Sequence, residues 1–373
     1  MNNLNFDSEK ELKLILNEKS FKKIFIVCGK KSFKNSGAKK LINKLIKSQE
    51  VFIFQKIKPY PDFMELEKII KLINKFKPDL IIAIGGGSAI DYAKIANVIQ
   101  YSKDLGNQII NSTFKIQKSN RKLIAIPTTA GSGAEVTSNA VIYVKKEKYS
   151  VEHSLIKPDI HLLLPKLIVS GSKSLKSSSG FDAIAQSLES LISKKSNAKS
   201  VEFAKKSLKI CLNNYLKFLN NPNEINSSNM LYGANLAGRA INISKTTVPH
   251  AVSYPFTSNY GISHGHAVSL TFEKFFKFNY FNKHKSSANF DLQKRFDIIF
   301  DLTKSKNINS FCDYIIRLKR KAKLENNFNK LGININKEIN KITSNVNTQR
   351  LKNNPIELNK KDLNNIILEK LLF

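Results

Sequence analysis

Hydrophobic residues in the first half of the chain follow two different spacings. Four short apolar runs, rich in β-branched residues, have the length of buried strands: KKIFIVCG (22–29), VFIFQKI (51–57), DLIIAIGGGS (79–88) and RKLIAIPTT (121–129). Between them, GAKKLINKLIKS (37–48) and FMELEKIIKLINKF (63–76) place apolar residues three and four apart, which predicts helices. Strands that alternate with helices predict a parallel, doubly wound sheet of the Rossmann-like α/β class.

Beyond residue 172 the strand pattern gives way to helical spacing. The segments with this spacing are 180–195, 204–219, 229–244 and 291–305, and the Asn- and Lys-rich stretch 321–355 is predicted as helices joined by loops. The Ser- and Gly-rich segment SGSKSLKSSSG (170–180) is the predicted junction. We therefore predict an α/β domain over residues 1–172 and an all-helical domain over residues 173–373, which suits a chain too long for one ordinary core.

The cysteines and the apolar runs narrow the class of protein. Cys28, Cys211 and Cys312 are far apart and form no CxxC pair, which argues against a disulfide framework or a cysteine zinc site and suits a reducing cytoplasm. The first residues, MNNLNFDSEKELKLIL, include acidic groups and no long apolar run, so we expect no secretory signal. No stretch approaches the roughly 20 apolar residues that span a bilayer, so we expect no membrane partner.

The formal net charge is +32, from 61 Lys and Arg against 29 Asp and Glu. The lysines are spread along the chain and do not form one basic block, so we expect a lysine-coated surface and no nucleic-acid partner. A positive field of this kind attracts small anionic substrates.

Two glycine-rich loops follow predicted buried strands, AIGGGSAIDYAK at 83–94 and AIPTTAGSGAEVT at 125–137. Glycines let the backbone approach a ligand closely, and free N–H groups at a helix start attract phosphate. The hydroxyl groups that the two loops offer belong to Ser88, Thr128, Thr129 and Ser132. Neither loop is a GxGxxG fingerprint, and a single loop of this kind is also typical of a tight packing turn. Side by side, they predict a binding surface for a pyrophosphate and a ribose.

Carboxylate and imidazole groups suggest a metal site in the second half. The chain has only six histidines, and His250, His264 and His266 all fall within residues 250–266. A lone histidine is more often structural, so the clustering carries the prediction. Together with Asp182, at the start of a predicted helix, the imidazoles suit a divalent metal that keeps an open position for substrate.

In order and spacing, these features resemble the iron-containing alcohol dehydrogenase family over nearly the whole chain. That family has a GGGSxxDxAK loop, a PTTAGTGSEVT-like loop and then a metal motif of Asp, His four residues later and two histidines 14 apart. The resemblance implies a dehydroquinate synthase-like architecture and an NAD(P)-dependent alcohol dehydrogenase or aldehyde reductase, commonly a homodimer or larger. It also implies that the cofactor is bound by Gly85, Gly86, Gly87, Ser88, Asp91, Thr128, Thr129, Ser132 and Lys148.

The choice between NADPH and NADH stays open. Family members that prefer NAD often carry an acidic residue after the first strand, whereas here Gly29 is followed by Lys30 and Lys31. These two lysines either receive a 2′-phosphate or lie in solvent as ordinary surface lysines.

By the same resemblance, the metal ligands are Asp182, His250 and His264, with one departure. The residue four after Asp182 is Gln186, on the same helix face, where the family has histidine. Three outcomes stay open: Gln186 is a weak fourth ligand, water completes a three-ligand site, or no metal binds. The ligand set suits Fe2+ and also Zn2+.

Residues around His250 carry the substrate prediction. Lys245 and the two threonines after it suit an anionic group beside the metal, or Lys245 is one more exposed lysine. Tyr254 and His266 are candidate proton donors, and packing or turn capping are the alternatives. The segment resembles the branch that reduces phosphonoacetaldehyde to 2-hydroxyethylphosphonate in phosphonate biosynthesis. Alternatives are a less specific alcohol or polyol dehydrogenase and a non-redox dehydroquinate-synthase-like lyase.

Overall fold

In the computed structural model of the chain, the residues described are 8–17, 21–344, 346 and 351–370. The chain packs into two compact units, the first formed by Met1–Gly171 with Pro222–Asn235 and the second by Ser172–Asn221 with Leu236–Phe373. The segment 222–235 therefore packs with the first unit, although a single division near residue 172 leaves it in the second half.

The first unit contains a parallel sheet and a separate hairpin. Its strands are β1 (Lys23–Gly29), β2 (Glu50–Lys56), β3 (Leu80–Gly85), β4 (Lys122–Pro127), β5 (Asn139–Val144), β6 (Glu147–Glu152) and β7 (Ile160–His161). Its helices are α1 (Ser8–Asn17), α2 (Lys30–Asn35), α3 (Ala38–Leu45), α4 (Phe63–Phe76), α5 (Gly87–Val98), α6 (Leu105–Ile110) and α7 (Lys166–Val169). Within the described residues, five strands pair in parallel in the order β2-β1-β3-β4-β7, and β5 pairs with β6 antiparallel. The predicted parallel α/β sheet is confirmed.

Alternate residues of the central strands enter two different cores. Phe25 and Val27 of β1 pack in a cluster with apolar residues of α4 and α5. Ile24 and Ile26 of the same strand pack in a second cluster with residues of α1 and α3. Because side chains of a strand point alternately to opposite faces, helices cover both faces and the sheet is doubly wound.

The described residues of the second unit form helices joined by loops. The helices from its beginning onward are α8 (Lys173–Ile192), α9 (Ala198–Asn220), α10 (Glu224–Ser244), α11 (Val248–Tyr260), α12 (His264–Ser269), α13 (Phe272–Phe281), α14 (Leu292–Thr303), α15 (Ile308–Lys321), α16 (Ile335–Ser344) and α17 (Lys360–Ile367). Helix α10 crosses the border, since its residues up to Asn235 belong to the first unit. Among the described helices, none combines the length and apolar character needed to cross a membrane.

Helix α8 begins at Lys173, earlier than the predicted helical segment 180–195, and the first division between the two units, after Gly171, falls inside the predicted junction 170–180. Ser172 caps the helix by accepting a hydrogen bond from a backbone N–H of the first turn. Ser177 inside the helix donates to the carbonyl oxygen of Ala322 at 2.6 Å. Serines favour loops when their hydroxyls bond the local backbone, and this tertiary partner removes that competition.

Candidate functional site

The two glycine-rich loops lie together at the carboxyl ends of the adjacent strands β3 and β4. The backbone N–H of Thr128 donates to the carbonyl oxygen of Gly85 at 2.9 Å. A Cβ atom on Gly87 would stand 2.7 Å from Oγ of Ser132, so only glycine allows the loops to pack this closely. Ligands of parallel α/β sheets bind at this edge, where the start of α5 also offers backbone N–H groups.

Thr128 fits a polar ligand at this surface. Its side chain is buried, and among the described residues its hydroxyl has no hydrogen-bond partner. Buried polar groups are nearly always bonded, so this hydroxyl suits a phosphate or ribose oxygen. Other residues of the same two loops are only partly buried, namely Gly86, Ser88, Thr129 and Ser132.

Lys94 is a residue of this surface that sequence analysis missed. It is fully buried, and its ammonium group donates to the carbonyl oxygens of Ala134 and Asn139 and to the hydroxyl of Thr137. The signal that could have revealed it is its place three residues after Asp91 on α5, the helix that begins in the glycine loop.

Asp91 is bonded to the β5–β6 hairpin, which carries Lys148. Asp91 accepts a hydrogen bond from the backbone N–H of Val141 in β5 at 3.1 Å. Burial raises the pKa of Asp91 to about 6, against the opposing charges of Lys94 and Lys148. The Asp91 carboxylate therefore binds the β5–β6 hairpin, and the charge of Lys148 on β6 acts on it.

Asp182, His250 and His264 converge in the second unit, although 68 residues separate the first two. One ligand atom from each lies within 4.8 Å of the others. Asp182 comes from the middle of α8, His250 from the first turn of α11 and His264 from the start of α12. A carboxylate and two imidazoles this close, two of them buried, fit a divalent metal ion.

Gly265 lets α12 reach α8. A Cβ atom at this position would overlap the carbonyl oxygen of Ser178 and stand 2.9 Å from Cβ of Asp182. The backbone N–H of His266 donates to the Ser178 hydroxyl at 3.1 Å. This close packing is what brings His264 beside Asp182.

Burial and charge oppose each other at Asp182 and His250, whose Oδ1 and Nε2 atoms are 3.1 Å apart. Burial raises the pKa of Asp182, but the hydrogen bond from His250 and the charge of His264 outweigh it, so the pKa is lowered. Burial lowers the pKa of His250, but the charge of Glu189 and the bonds to both carboxylates raise it to about 9. The site therefore favours a positive charge, either a proton or a metal ion, next to Asp182.

Glu189 is a second residue that sequence analysis missed. Its Oε1 atom lies 2.5 Å from Nδ1 of His250, on the opposite side of the ring from Asp182. Its Oε2 atom accepts from the backbone N–H and the hydroxyl of Thr247. The available signal was spacing, since Glu189 follows Asp182 by two helical turns and so shares its helix face.

The two candidate proton donors occupy different surroundings. The ring of Tyr254 stacks parallel on that of His264, with centroids 5.6 Å apart. Nε2 of His266 donates to the carbonyl oxygen of Glu325 at 2.7 Å, and burial lowers the pKa of this imidazole, which keeps it neutral.

Gln186 and Lys245 both lie between Asp182 and His250 in the chain. Gln186 is buried on α8 and hydrogen-bonds Asp182. Lys245 follows α10 in the left-handed conformation with φ 59°, and its ammonium group donates to the carbonyl oxygen of Asn242 at 3.3 Å. It stands three residues before α11 begins at Val248.

Two family models match the chain in succession. The first, described as iron-containing alcohol dehydrogenase, matches residues 4–165. The second, described as the C-terminal part of the Fe-containing alcohol dehydrogenase family, matches residues 176–371. Together they cover both glycine-rich loops and all three metal-site residues.

Individual dehydrogenases and reductases are also similar to this chain in sequence or in structure. The 4-hydroxybutyrate dehydrogenase of Clostridium kluyveri is 29% identical over 258 residues, which cover 68% of each chain. A crystal structure of sulfoacetaldehyde reductase from Bifidobacterium kashiwanohense in complex with NAD+ superposes with a TM-score of 0.84 at 25% identity, covering 97% of this chain and 94% of that one. An iron-containing alcohol dehydrogenase of Thermotoga maritima superposes with a TM-score of 0.80 at 25% identity, covering 97% and 95%.

Proposed function

This chain belongs to the iron-containing alcohol dehydrogenase family, and we propose that it reduces a small anionic aldehyde to its primary alcohol. The proposed substrate is phosphonoacetaldehyde, and the product is 2-hydroxyethylphosphonate. The observation that carries the proposal is the group of Asp182, His250 and His264, two of them buried, whose ligand atoms lie within 4.8 Å.

Each part of the site has a proposed role. A nicotinamide bound at the glycine-rich loops would supply the hydride, and a divalent ion such as Fe2+ or Zn2+ bound at the Asp182, His250 and His264 group would supply Lewis-acid polarisation of the aldehyde. The three metal-site residues hold the ion, and the two glycine-rich loops hold the dinucleotide phosphates. Tyr254, stacked on a ligand imidazole, and His266 are the candidates that hand a proton to the alcohol oxygen.

Three observations favour an anionic aldehyde. The net charge of +32 attracts anions. Lys245 lies just ahead of the helix that carries His250. Two of the similar proteins are named for anionic compounds, 4-hydroxybutyrate and sulfoacetaldehyde. A positive side chain near the metal site would select such substrates over neutral ones.

The test is the fall in reduced-nicotinamide absorbance on mixing metal-loaded protein with NADPH or NADH and an aldehyde. Phosphonoacetaldehyde, sulfoacetaldehyde and the neutral propionaldehyde are compared at equal concentration. We expect the fastest oxidation with phosphonoacetaldehyde. Faster turnover of sulfoacetaldehyde would change the named anion, and activity on propionaldehyde alone would favour a less specific alcohol dehydrogenase. Bound dinucleotide with no net absorbance change would point to a lyase.

A further inference from the structure

We propose that Glu189 is the positioning residue that presents His250 to the metal ion, an inference that rests on the proposed function. Glu189 is fully buried, and its two oxygens have separate partners. Oε1 accepts from Nδ1 of His250 at 2.5 Å. Oε2 accepts from the backbone N–H of Thr247 at 2.6 Å and from its hydroxyl at 2.9 Å. No atom of Glu189 contacts Asp182 or His264 through a described hydrogen bond, so its influence on the site passes through His250.

The carboxylate selects one tautomer of the imidazole. Both oxygens of Glu189 are acceptors in this network, Oε2 for two groups of Thr247, so Nδ1 of His250 carries the hydrogen that faces Oε1. Nε2, 3.1 Å from Oδ1 of Asp182, is then the nitrogen that can give up its proton and offer a lone pair to a metal ion. A lone pair that faces a carboxylate is favourable only when a cation joins them. Glu189 therefore prepares the ring as a neutral ligand whose free nitrogen points at the metal position.

The same carboxylate also fixes the backbone that carries the ligand. Thr247 precedes α11, and His250 lies in its first turn. Two of the groups that Glu189 binds, the Thr247 N–H and the His250 ring, thus belong to the start of one helix. The unpaired N–H groups at a helix start attract anions. The bond to Thr247 therefore fixes the position of the Glu189 carboxylate relative to the His250 ring.

Glu189→Gln keeps the shape of the side chain, but the amide no longer requires the hydrogen of His250 to be on Nδ1. If the amide NH2 group faces Thr247, two N–H donors oppose each other. If it faces His250, the ring must accept at Nδ1 and carry its hydrogen at Nε2, where the metal binds. Either arrangement disturbs the ligand, so we expect metal affinity to fall about 10- to 100-fold. Competition with a chromophoric chelator for Co2+ measures the affinity, and the visible spectrum of bound Co2+ reports the geometry.

Ser190→Ala is the matched control. Ser190 is the next residue of α8, equally buried, and its hydroxyl lies 2.5 Å from that of Ser244, away from His250. We expect this variant to lose some stability and to bind Co2+ as the wild type does. Thr247→Val is a milder second variant that keeps the backbone N–H and removes one bond to Glu189, with an expected loss of about 2- to 10-fold.

The outcomes separate this inference from the proposed function. Unchanged Co2+ affinity in both the Glu189 and Thr247 variants, with folded protein, overturns the role of Glu189 alone. An equal loss in the Ser190 variant also overturns it, because the effect would then be general destabilisation. A wild type that binds dinucleotide but no Co2+, Zn2+ or Fe2+ overturns the metal chemistry and Glu189 together.

Discussion

The buried ammonium group of Lys94 donates a 2.5 Å hydrogen bond to the carbonyl oxygen of Asn139. It also donates to the carbonyl oxygen of Ala134 and the hydroxyl of Thr137. One side chain of α5 therefore holds both ends of segment 134–139, which continues the second glycine-rich loop into β5.

We expect Lys94→Met to weaken dinucleotide binding about tenfold, because segment 134–139 loses its anchor and Asp91 loses its nearest cation, 4.0 Å away. Removing one partner of a buried charged network also costs about 3–5 kcal/mol of stability. Titration calorimetry with NADH and NADPH measures the affinity.

Lys319→Met in the second unit is the control for Lys94. Lys319 is also fully buried and donates to the carbonyl oxygen of Ser269 and to Glu273. It should lose comparable stability and keep normal dinucleotide affinity. Equal affinity losses in the two variants would show that Lys94 acts only through overall stability.

We expect the free energy of unfolding to depend on pH through the carboxyl group of Asp91. Burial raises its pKa from 3.8 to about 6, so the folded protein holds the proton more tightly than the unfolded chain. The resulting stabilisation is complete below the unfolded pKa and is lost as pH rises through about 6. In the wild type this effect changes the free energy of unfolding by up to about 3 kcal/mol across the pH range. Asp91→Asn should remove the effect, so that the midpoint of urea unfolding varies less with pH. Asp301→Asn, an exposed change on α14, should keep the wild-type curve.

Substitutions of Gln186 show whether the protein supplies three or four ligands to the metal ion. If its amide oxygen binds the ion, Gln186→Leu should weaken Zn2+ binding on the order of tenfold and Gln186→His should strengthen it, because imidazole is the better donor. Chelator competition measures both. Ser187→Ala is the control, since its buried hydroxyl bonds Ala183 and Ser207 on the same helix pair. Unchanged affinity in the Leu variant would leave three protein ligands.

A substitution of Lys245 tests whether this side chain binds the anionic group of the substrate. We expect Lys245→Ala to raise KM for phosphonoacetaldehyde about tenfold with little change in kcat, and to leave propionaldehyde nearly unaffected. Lys304→Ala is a matched control, because Lys304 is another left-handed lysine after a helix of the same unit. An equal loss on the charged and neutral aldehydes would remove Lys245 from substrate binding.

The local pattern of the sequence determined most of the elements. Unbroken apolar runs predicted β1, β3 and β4 because these central parallel strands are mostly buried, and a similar run predicted the more exposed β2. Helix α4 was predicted with the bounds it has, Phe63–Phe76. The two glycine-rich loops and the spacing of Asp182, His250 and His264 were readable because each is a short motif, and both family models confirm the family.

Tertiary structure decided what those motifs touch. Lys94 closes the GGGSxxDxAK pattern and Glu189 stands in no motif, and the contacts of both exist only because segments 40 and 61 residues away fold against them. Ser177 lies inside helix α8, where a distant carbonyl oxygen accepts from its hydroxyl. A buried polar group must find a partner, and no local spacing shows which distant segment supplies it.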